Sequence, residues 1–291
     1  MLADESQAKT SSTGSSRAKT RLAGSWRSRA FACGWIDCTK TAKQKYRCIK
    51  EDVEGKYGKN ARVKWGYLLK ADHSNEVHGR LRIIRQMKSE NKLSLDIGSG
   101  VKEFRLADIT VDIDLNASPD IKADVIHLPF RPNVFDLCFF TEVIEHLPKG
   151  TELKGLKEIH RVLCKGGEMI LTTPHRRLLF ILFDPAWYLG HRHYRKHEIL
   201  ELLKQAGFQV LSLVTRGKVW AWLNRLWYCF IVYPWRKVVD RRFVTKGGAA
   251  AFVYSPSFLL SRDDKEYGVV TENGYNIFIR AKKGCFGKAT A

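Results

Sequence analysis

Four short apolar runs, each with an acid within it or just past its end, constrain this chain more than any other feature. Leu93-Ser94-Leu95-Asp96-Ile97 leads into Gly98-Ser99-Gly100, and Ile109–Ile113 carries Asp112, with Asp114 next in line. Ile121–Val125 contains Asp124, and Phe135–Phe140 is nearly unbroken in apolar residues. Runs of this length and continuity suit strands buried on both faces. Helical periodicity separates or flanks them. Glu76–Glu90 sets Val77, Leu81, Ile84 and Met87 on one stripe, and Thr151–Leu163 does the same with Leu153, Leu156, Ile159 and Leu163, with Gly166-Gly167 expected to stop it. Glu168–Thr173 reads as a fifth strand ended by Pro174, and His197–Ala206 as a helix with Gly207 at its close. Phe208–Val214 and Tyr275–Ala281 read as the sixth and seventh strands. Strands alternating with helices predict an α/β fold with a mostly parallel sheet.

Ligands of open parallel sheets bind at the carboxyl ends of the strands. Gly98 and Gly100 let the backbone approach a ligand closely, and Asp96 adds a negative charge beside that turn. A phosphate site would favour Lys there; an acid suits a cationic group such as an amine or a sulfonium. Asp112, or Asp114 two residues on, can accept hydrogen bonds from ribose hydroxyls, and Asp124 from an exocyclic amine while Val125 packs on a base. The ordered set describes a site for a nucleoside without phosphates. Any one of these acids alone could equally be a cap or turn residue.

Net charge sharpens this reading. The 291-residue chain carries 50 Lys and Arg against 30 Asp and Glu, giving +20, yet residues 93–173 alone sum to −4. An acidic centre between basic flanks argues against a surface wholly devoted to nucleic acid and places the bases on the acceptor side or its surroundings.

The stretch from Leu95-Asp96-Ile97-Gly98-Ser99-Gly100 through Val111-Asp112-Ile113, Ala123-Asp124-Val125, Leu128-Pro129-Phe130, Phe135-Asp136-Leu137, Glu142-Val143-Ile144-Glu145-His146-Leu147, Glu158-Ile159-His160-Arg161-Val162-Leu163 and Thr172-Thr173-Pro174 resembles the class I methyltransferases, more narrowly their type 11 group. The resemblance covers roughly residues 90–215. It implies a Rossmann-like, seven-stranded, mostly parallel sheet with helices on both faces and the last strand antiparallel, and S-adenosylmethionine as cofactor. It also implies site roles: Asp96, Gly98 and Gly100 around the methionine part, Asp112 or Asp114 at the ribose, Asp124 and Val125 at the adenine, and Thr141 and Glu142 along the methionine side. The stretch between Gly100 and Val111 is short for the usual intervening helix, which is expected to shrink to about a turn or a loop. No metal is expected.

A sulfonium is already an activated methyl donor, so the protein must align a nucleophile and exclude water, adding a base where the nucleophile starts protonated. His146 after the fourth strand and His175 after the fifth are the candidate catalytic residues; for each, a purely structural role is the competing reading. His191, His193 and Tyr194 are placed to enter the pocket from above. No Asn/Asp-Pro-Pro-aromatic motif and no Pro-Cys nucleophile appear, which weighs against a base methyltransferase. The expected activity is methyl transfer to a small-molecule or lipid-like acceptor. An RNA methyltransferase and a non-catalytic binding scaffold are the alternatives.

Residues 217–242 are rich in Trp, Tyr, Arg and Lys, and fall inside an insertion at about 216–270 between the last two strands. They are too short in apolar length to span a bilayer, but the mixture favours a headgroup region. An anchor on an anionic membrane surface, a lid over the site and a dimer interface are the readings, as they are for the apolar stretch Leu178–Phe183.

Seven cysteines at irregular spacing, without Cys-x-x-Cys, argue for reduced thiols and a cytoplasmic location, with a peripheral membrane association as the variant. Residues 6–36 hold six bases and no acid among many Ser and Thr, a composition shared by basic tails and organelle transit peptides. Residues 1–60 are expected as a loosely ordered basic extension and 61–291 as the methyltransferase domain.

Overall fold

The computed structural model describes residues 41–57, 79–88, 92–100, 106–182, 187, 190–232 and 256–284, all within the unit Asp37–Ala291. The basic stretch 6–36, the link after Gly100 and the aromatic-basic residues 233–242 lie largely or wholly outside them. The elements run α1 (Ala42–Tyr57), α2 (Gly79–Gln86), β1 (Ser94–Ile97), β2 (Ile109–Asp112), β3 (Ile121–Lys122), β4 (Phe135–Thr141), α3 (Glu152–Val162), β5 (Leu163–Pro174), α4 (Leu178–Leu182), α5 (Lys196–Gln205), β6 (Phe208–Arg216), α6 (Val219–Trp227, continued by a π-turn over Tyr228–Val232), α7 (Ser257–Gly268) and β7 (Asn276–Lys283). The seven strands form one sheet in the order β3-β2-β1-β4-β5-β7-β6. β7 is antiparallel to both its neighbours, and every other pairing is parallel.

The apolar continuity of β4 has its expected cause. Leu137 and Phe139 face Ile83 and Ile84 of α2, Ala221 of α6 and Tyr267 of α7, together with Ile170 and Phe278 of neighbouring strands. The next side chains, Cys138 and Phe140, are equally buried on the other face. Asp136 on that second face receives Lys45 of α1 at 2.7 Å.

Acids also lock the amino ends of the strands. The Asp108 carboxylate accepts from the backbone N–H and hydroxyl of Ser94 at 2.8 and 2.6 Å, and Asp120 does the same for Thr110 at 2.8 and 3.0 Å. Part of the central negative charge is therefore structural, paired with strand backbones at the end of the sheet away from the glycine turn. The Leu128-Pro129-Phe130 turn is clamped in a similar way. Glu158 accepts from the Leu128 N–H, and Arg161 donates to the carbonyls of Leu128 and Phe130.

Two expectations need correction. β5 begins at Leu163, directly after α3, so Gly166-Gly167 does not stop the helix but lies within the strand. The pair sits at a register shift between Phe135 and Leu137 of β4, and a Cβ on Gly167 would stand 2.9 Å from the Cys164 carbonyl. The glycines serve a bulge and not a cap. Residues 42–57, placed with a loose extension by composition, form a packed helix. Ile49 and Val53 of α1 are fully buried, Arg131 pairs with Asp52 at 2.6 Å, and Lys45 is 2% exposed. The low apolar content of α1 hid this, because two aliphatic side chains and two ion pairs do the docking. Burial alone would lower the Lys45 pKa, but the Asp136 carboxylate outweighs it and holds the ammonium charged. Lys45→Ala is expected to cost about 1–3 kcal/mol by leaving Asp136 only the Leu93 N–H as a donor, seen as a shifted denaturant midpoint, without changing cofactor affinity.

No helix among the described residues is long and apolar enough to cross a membrane, and those residues hold no cluster of potential metal ligands.

Candidate active site

The glycine turn follows β1 and is built around close contacts. Gly98 and Gly100 adopt φ of 67° and 57°, and a Cβ on Gly98 would stand 2.4 Å from a methyl of Val143. The N–H groups of Gly98 and Ser99 both donate to the Val111 carbonyl, at 2.8 and 3.1 Å. Asp96, one residue before the end of β1, is fully buried. Asp112 at the end of β2 accepts from Gly100 N–H at 2.7 Å and from Asp114 N–H at 2.8 Å. It thus ties the glycine turn to the next strand and sets the turn that carries the exposed Asp114. A carboxylate offers about four acceptor positions, so these two bonds leave capacity for a ligand.

Asp124 caps the short helix Val125–His127 by accepting from Ile126 N–H at 3.1 Å. The Val125 side chain is buried, and its methyls lie 3.5 Å from where a Cβ on Gly155 of α3 would stand. Ile113, which follows Asp112, is 64% exposed at the same end of the sheet and offers an open apolar surface that the sequence did not single out.

Past β4 the chain turns on a residue in an unusual conformation. Thr141 is buried, whereas Glu142 takes φ of 55° without being glycine. Such strain persists only where surrounding contacts fix it. The Glu142 carboxylate accepts from the Thr172 hydroxyl at 3.0 Å and the Asn276 amide at 3.1 Å, and pairs with Arg80 at 2.8 Å. The Tyr267 hydroxyl donates to Asn276 in turn. Arg80, Tyr267 and Asn276 come from α2, α7 and β7, outside the motifs that sequence reading recognised. Three residues on, Glu145 is buried and accepts from the Thr173 hydroxyl at 3.2 Å. Burial first, then the neighbouring Glu142 charge, pushes its carboxyl well above the usual range. Burial likewise pushes the Tyr267 phenol well up, keeping it a donor.

The candidate histidines differ in setting. His175 is buried, and its Nδ1 lies 3.0 Å from the Gly274 carbonyl. A carbonyl can only accept, so Nδ1 carries the proton and Nε2 has the lone pair. Burial lowers its pKa against the opposing pull of the Gly274 hydrogen bond, with the nearby Lys196, Arg177 and His193 adding to the fall, which favours the neutral ring. His146 is exposed and meets the His191 ring edge-on at 4.2 Å. Its pKa is also lowered, by desolvation first and by Arg225 in addition, against the opposing pull of Glu142. Tyr194 and its neighbours hold the frame: the Tyr194 hydroxyl donates to Ile144 O at 3.2 Å, and Arg192 bonds Glu152 and the carbonyls of Ile144 and Leu147. Burial raises the Tyr194 pKa to about 12, so this bond survives across the physiological range.

The insertion between β6 and β7 supplies α6 and α7, which pack on each other and, through α7, on α2. Glu266 of α7 accepts from the N–H groups of Lys218, Trp220 and Ala221 at 2.8 to 3.0 Å and so caps α6 from another helix. Phe180 of α4 lies edge-on to Tyr275 and beside Trp222. Asp263 of α7 is 8% exposed, and its pKa is pushed up to about 6, chiefly by burial. The folded state therefore holds this proton more tightly than the unfolded chain. Its contribution to stability falls as pH rises from the ordinary aspartate range to about 6. Above that, Asp263→Asn is expected to stabilise the protein by about 1–3 kcal/mol, a gain that vanishes near pH 4 in paired denaturation series.

A seven-stranded sheet with its last strand reversed, a left-handed glycine turn after β1 and acids after β2 and β3 form the arrangement that the resemblance to the class I methyltransferases implies. Residues 95–171 match the family described as "Methyltransferase domain", and the chain carries a domain of the type 11 group. An uncharacterized protein of Methanocaldococcus jannaschii is 36% identical over 106 residues, which cover 31% of this chain and 45% of that protein. The chain thus spans less than half the length of that curated relative. A methyltransferase structure from Archaeoglobus fulgidus aligns with 70% of this chain and 91% of its own at 15% identity and a TM-score of 0.46. One from Thermotoga maritima covers 70% and 87% at 18% identity, with the same score.

Proposed function

We propose that the protein transfers the methyl group of S-adenosylmethionine to a small-molecule or lipid-like acceptor. The cofactor supplies the electrophilic methyl; the chain's own groups bind, orient and shield. Asp96 with the Gly98 and Gly100 turn takes the cationic methionine end, Asp112 and Asp114 the ribose, and Asp124 the adenine amine. Ile113 is the more open apolar neighbour for the base, and Thr141 and Glu142 form the wall beside the methionine part. His175, neutral with its Nε2 lone pair available, is the better placed general base; His146 is the second candidate.

The observation that carries the reading is the cover that α2 and α7 form over the carboxyl ends of β4 and β5 and the amino end of β7. Beneath it lies the hydrogen-bonded polar set Glu142, Thr172, Asn276 and Tyr267, all but Glu142 buried, a scale that suits a small headgroup and not a polymer. Val219, Phe230 and Ile231 on α6 and its π-turn are more than half exposed, which favours contact with an apolar or lipid surface.

The test uses S-adenosylmethionine labelled in the methyl group with fractionated cell extract. Label in the small-molecule or lipid fraction supports the reading; label confined to RNA, or none at all, overturns it. His175→Ala is expected to lower turnover by about 10²–10⁴-fold while cofactor affinity holds, as a general base requires. Co-sedimentation with anionic vesicles tests the membrane arm: full solubility at low salt, unchanged on deleting residues 217–242, counts against it.

A further inference from the structure

The junction of α2, α6 and α7 contains polar atoms that the fold itself leaves unanswered. Asn224 of α6 donates its amide N–H to Asp263 Oδ2 of α7 at 2.9 Å. This bond fixes the amide orientation, since a flipped amide would set its oxygen against the carboxylate. Asp263 Oδ1, Asn224 Oδ1 and Arg80 Nε are then all shielded from solvent with no hydrogen-bond partner. Asp263 is more than nine-tenths buried. Gly79 lets α2 approach this spot closely: a Cβ there would lie 3.2 Å from Asp263 Oδ2 and 3.4 Å from the Tyr267 ring. Arg80 is committed to Glu142 through Nη1 and makes no hydrogen bond to Asp263.

Buried polar groups are nearly always paired, and a buried carboxylate oxygen without a donor is costly. Two acceptor oxygens, one of them charged, call for a group with several N–H donors and a positive charge. A primary ammonium meets both needs, and the neighbouring Tyr267 ring favours a cation further. The unanswered Arg80 Nε–H calls for an acceptor atom on the same molecule, a few bonds from the nitrogen.

We propose that Asp263 and Asn224, with Arg80 beside them, form a subsite for the ammonium group of an acceptor that also carries a nearby oxygen. The proposal rests on the methyltransferase reading and names the chemical class of its acceptor. Arg80 joins the subsite to Glu142, so an amine held there lies against the wall assigned to the cofactor's methionine side.

The probes are 3-amino-1-propanol and its uncharged counterpart 1,3-propanediol, titrated by NMR into the full chain. A parallel calorimetric titration with S-adenosylmethionine is made on each variant. The wild type should bind the amino alcohol saturably and the diol at least about 10-fold more weakly, as expected for hydrogen bonds to a charged group. Asp263→Asn and Asn224→Ala should each weaken amine binding by about 10-fold or more and leave cofactor affinity unchanged. Equal binding of amine and diol, no amine binding, or amine binding indifferent to both variants overturns the subsite while the methyltransferase reading stands. Failure of the wild type to bind the cofactor overturns that reading instead, whatever the amine does.

Discussion

Asp96→Asn should weaken S-adenosylmethionine binding by about 10–100-fold, the value of a charge-assisted hydrogen bond lost from a dry site. Asp96 is fully buried between β2 and β4, in register with Thr110 and Phe139, just before the chain turns through Gly98. The substitution keeps the side chain's shape while it removes the charge and replaces one acceptor oxygen with an amide donor. A purely structural acid would show its loss in the unfolding midpoint. A cofactor ligand shows it in affinity. The expected pattern is therefore cofactor affinity lost with the fold retained. A variant that binds within about threefold of the wild type, less than the smallest charged hydrogen bond predicts, would remove Asp96 from the site.

Gly98→Ala should be the most damaging single methyl in the glycine turn. At φ of 67° any L side chain is strained, and the new Cβ would stand 2.4 and 2.9 Å from the two methyls of Val143. Left-handed backbone costs about 1–2 kcal/mol and overpacking about 1–3 kcal/mol, so a loss of about 2–5 kcal/mol is expected with cofactor binding abolished. The two terms can be separated. Adding Val143→Ala removes the clash but not the backbone strain, so the double variant should recover about half of the lost stability. No recovery would mean that φ alone sets the cost. Full recovery would mean that the turn is freer than its geometry indicates.

The glycine turn and the strand-end acids were legible because such features are local: Asp96, Gly98, Gly100 and Asp112 announce themselves by position after an apolar run. Their division of labour was not. Asp112 and Asp124 already serve Gly100, Asp114 and Ile126, and Asp108 and Asp120 spend their charge on strand starts, which no count of acids could separate. The groups of the proposed acceptor side escaped the sequence for a different reason. Arg80, Asn224, Asp263, Tyr267 and Asn276 stand up to almost 200 positions apart, and only the packing of α2, α6 and α7 over the sheet brings them together. Glu142 lay inside a recognised motif, but its positive φ and its bond to Arg80 have no signature in one dimension. The Gly166-Gly167 pair misled because a helix stop and a strand bulge use the same residues for the same backbone freedom.

Calorimetric titration of the wild-type chain with S-adenosylmethionine tests the central claim most directly. The account predicts saturable binding at one site per chain, weakened by Asp96→Asn without loss of fold. A folded wild type that takes up no S-adenosylmethionine would contradict it.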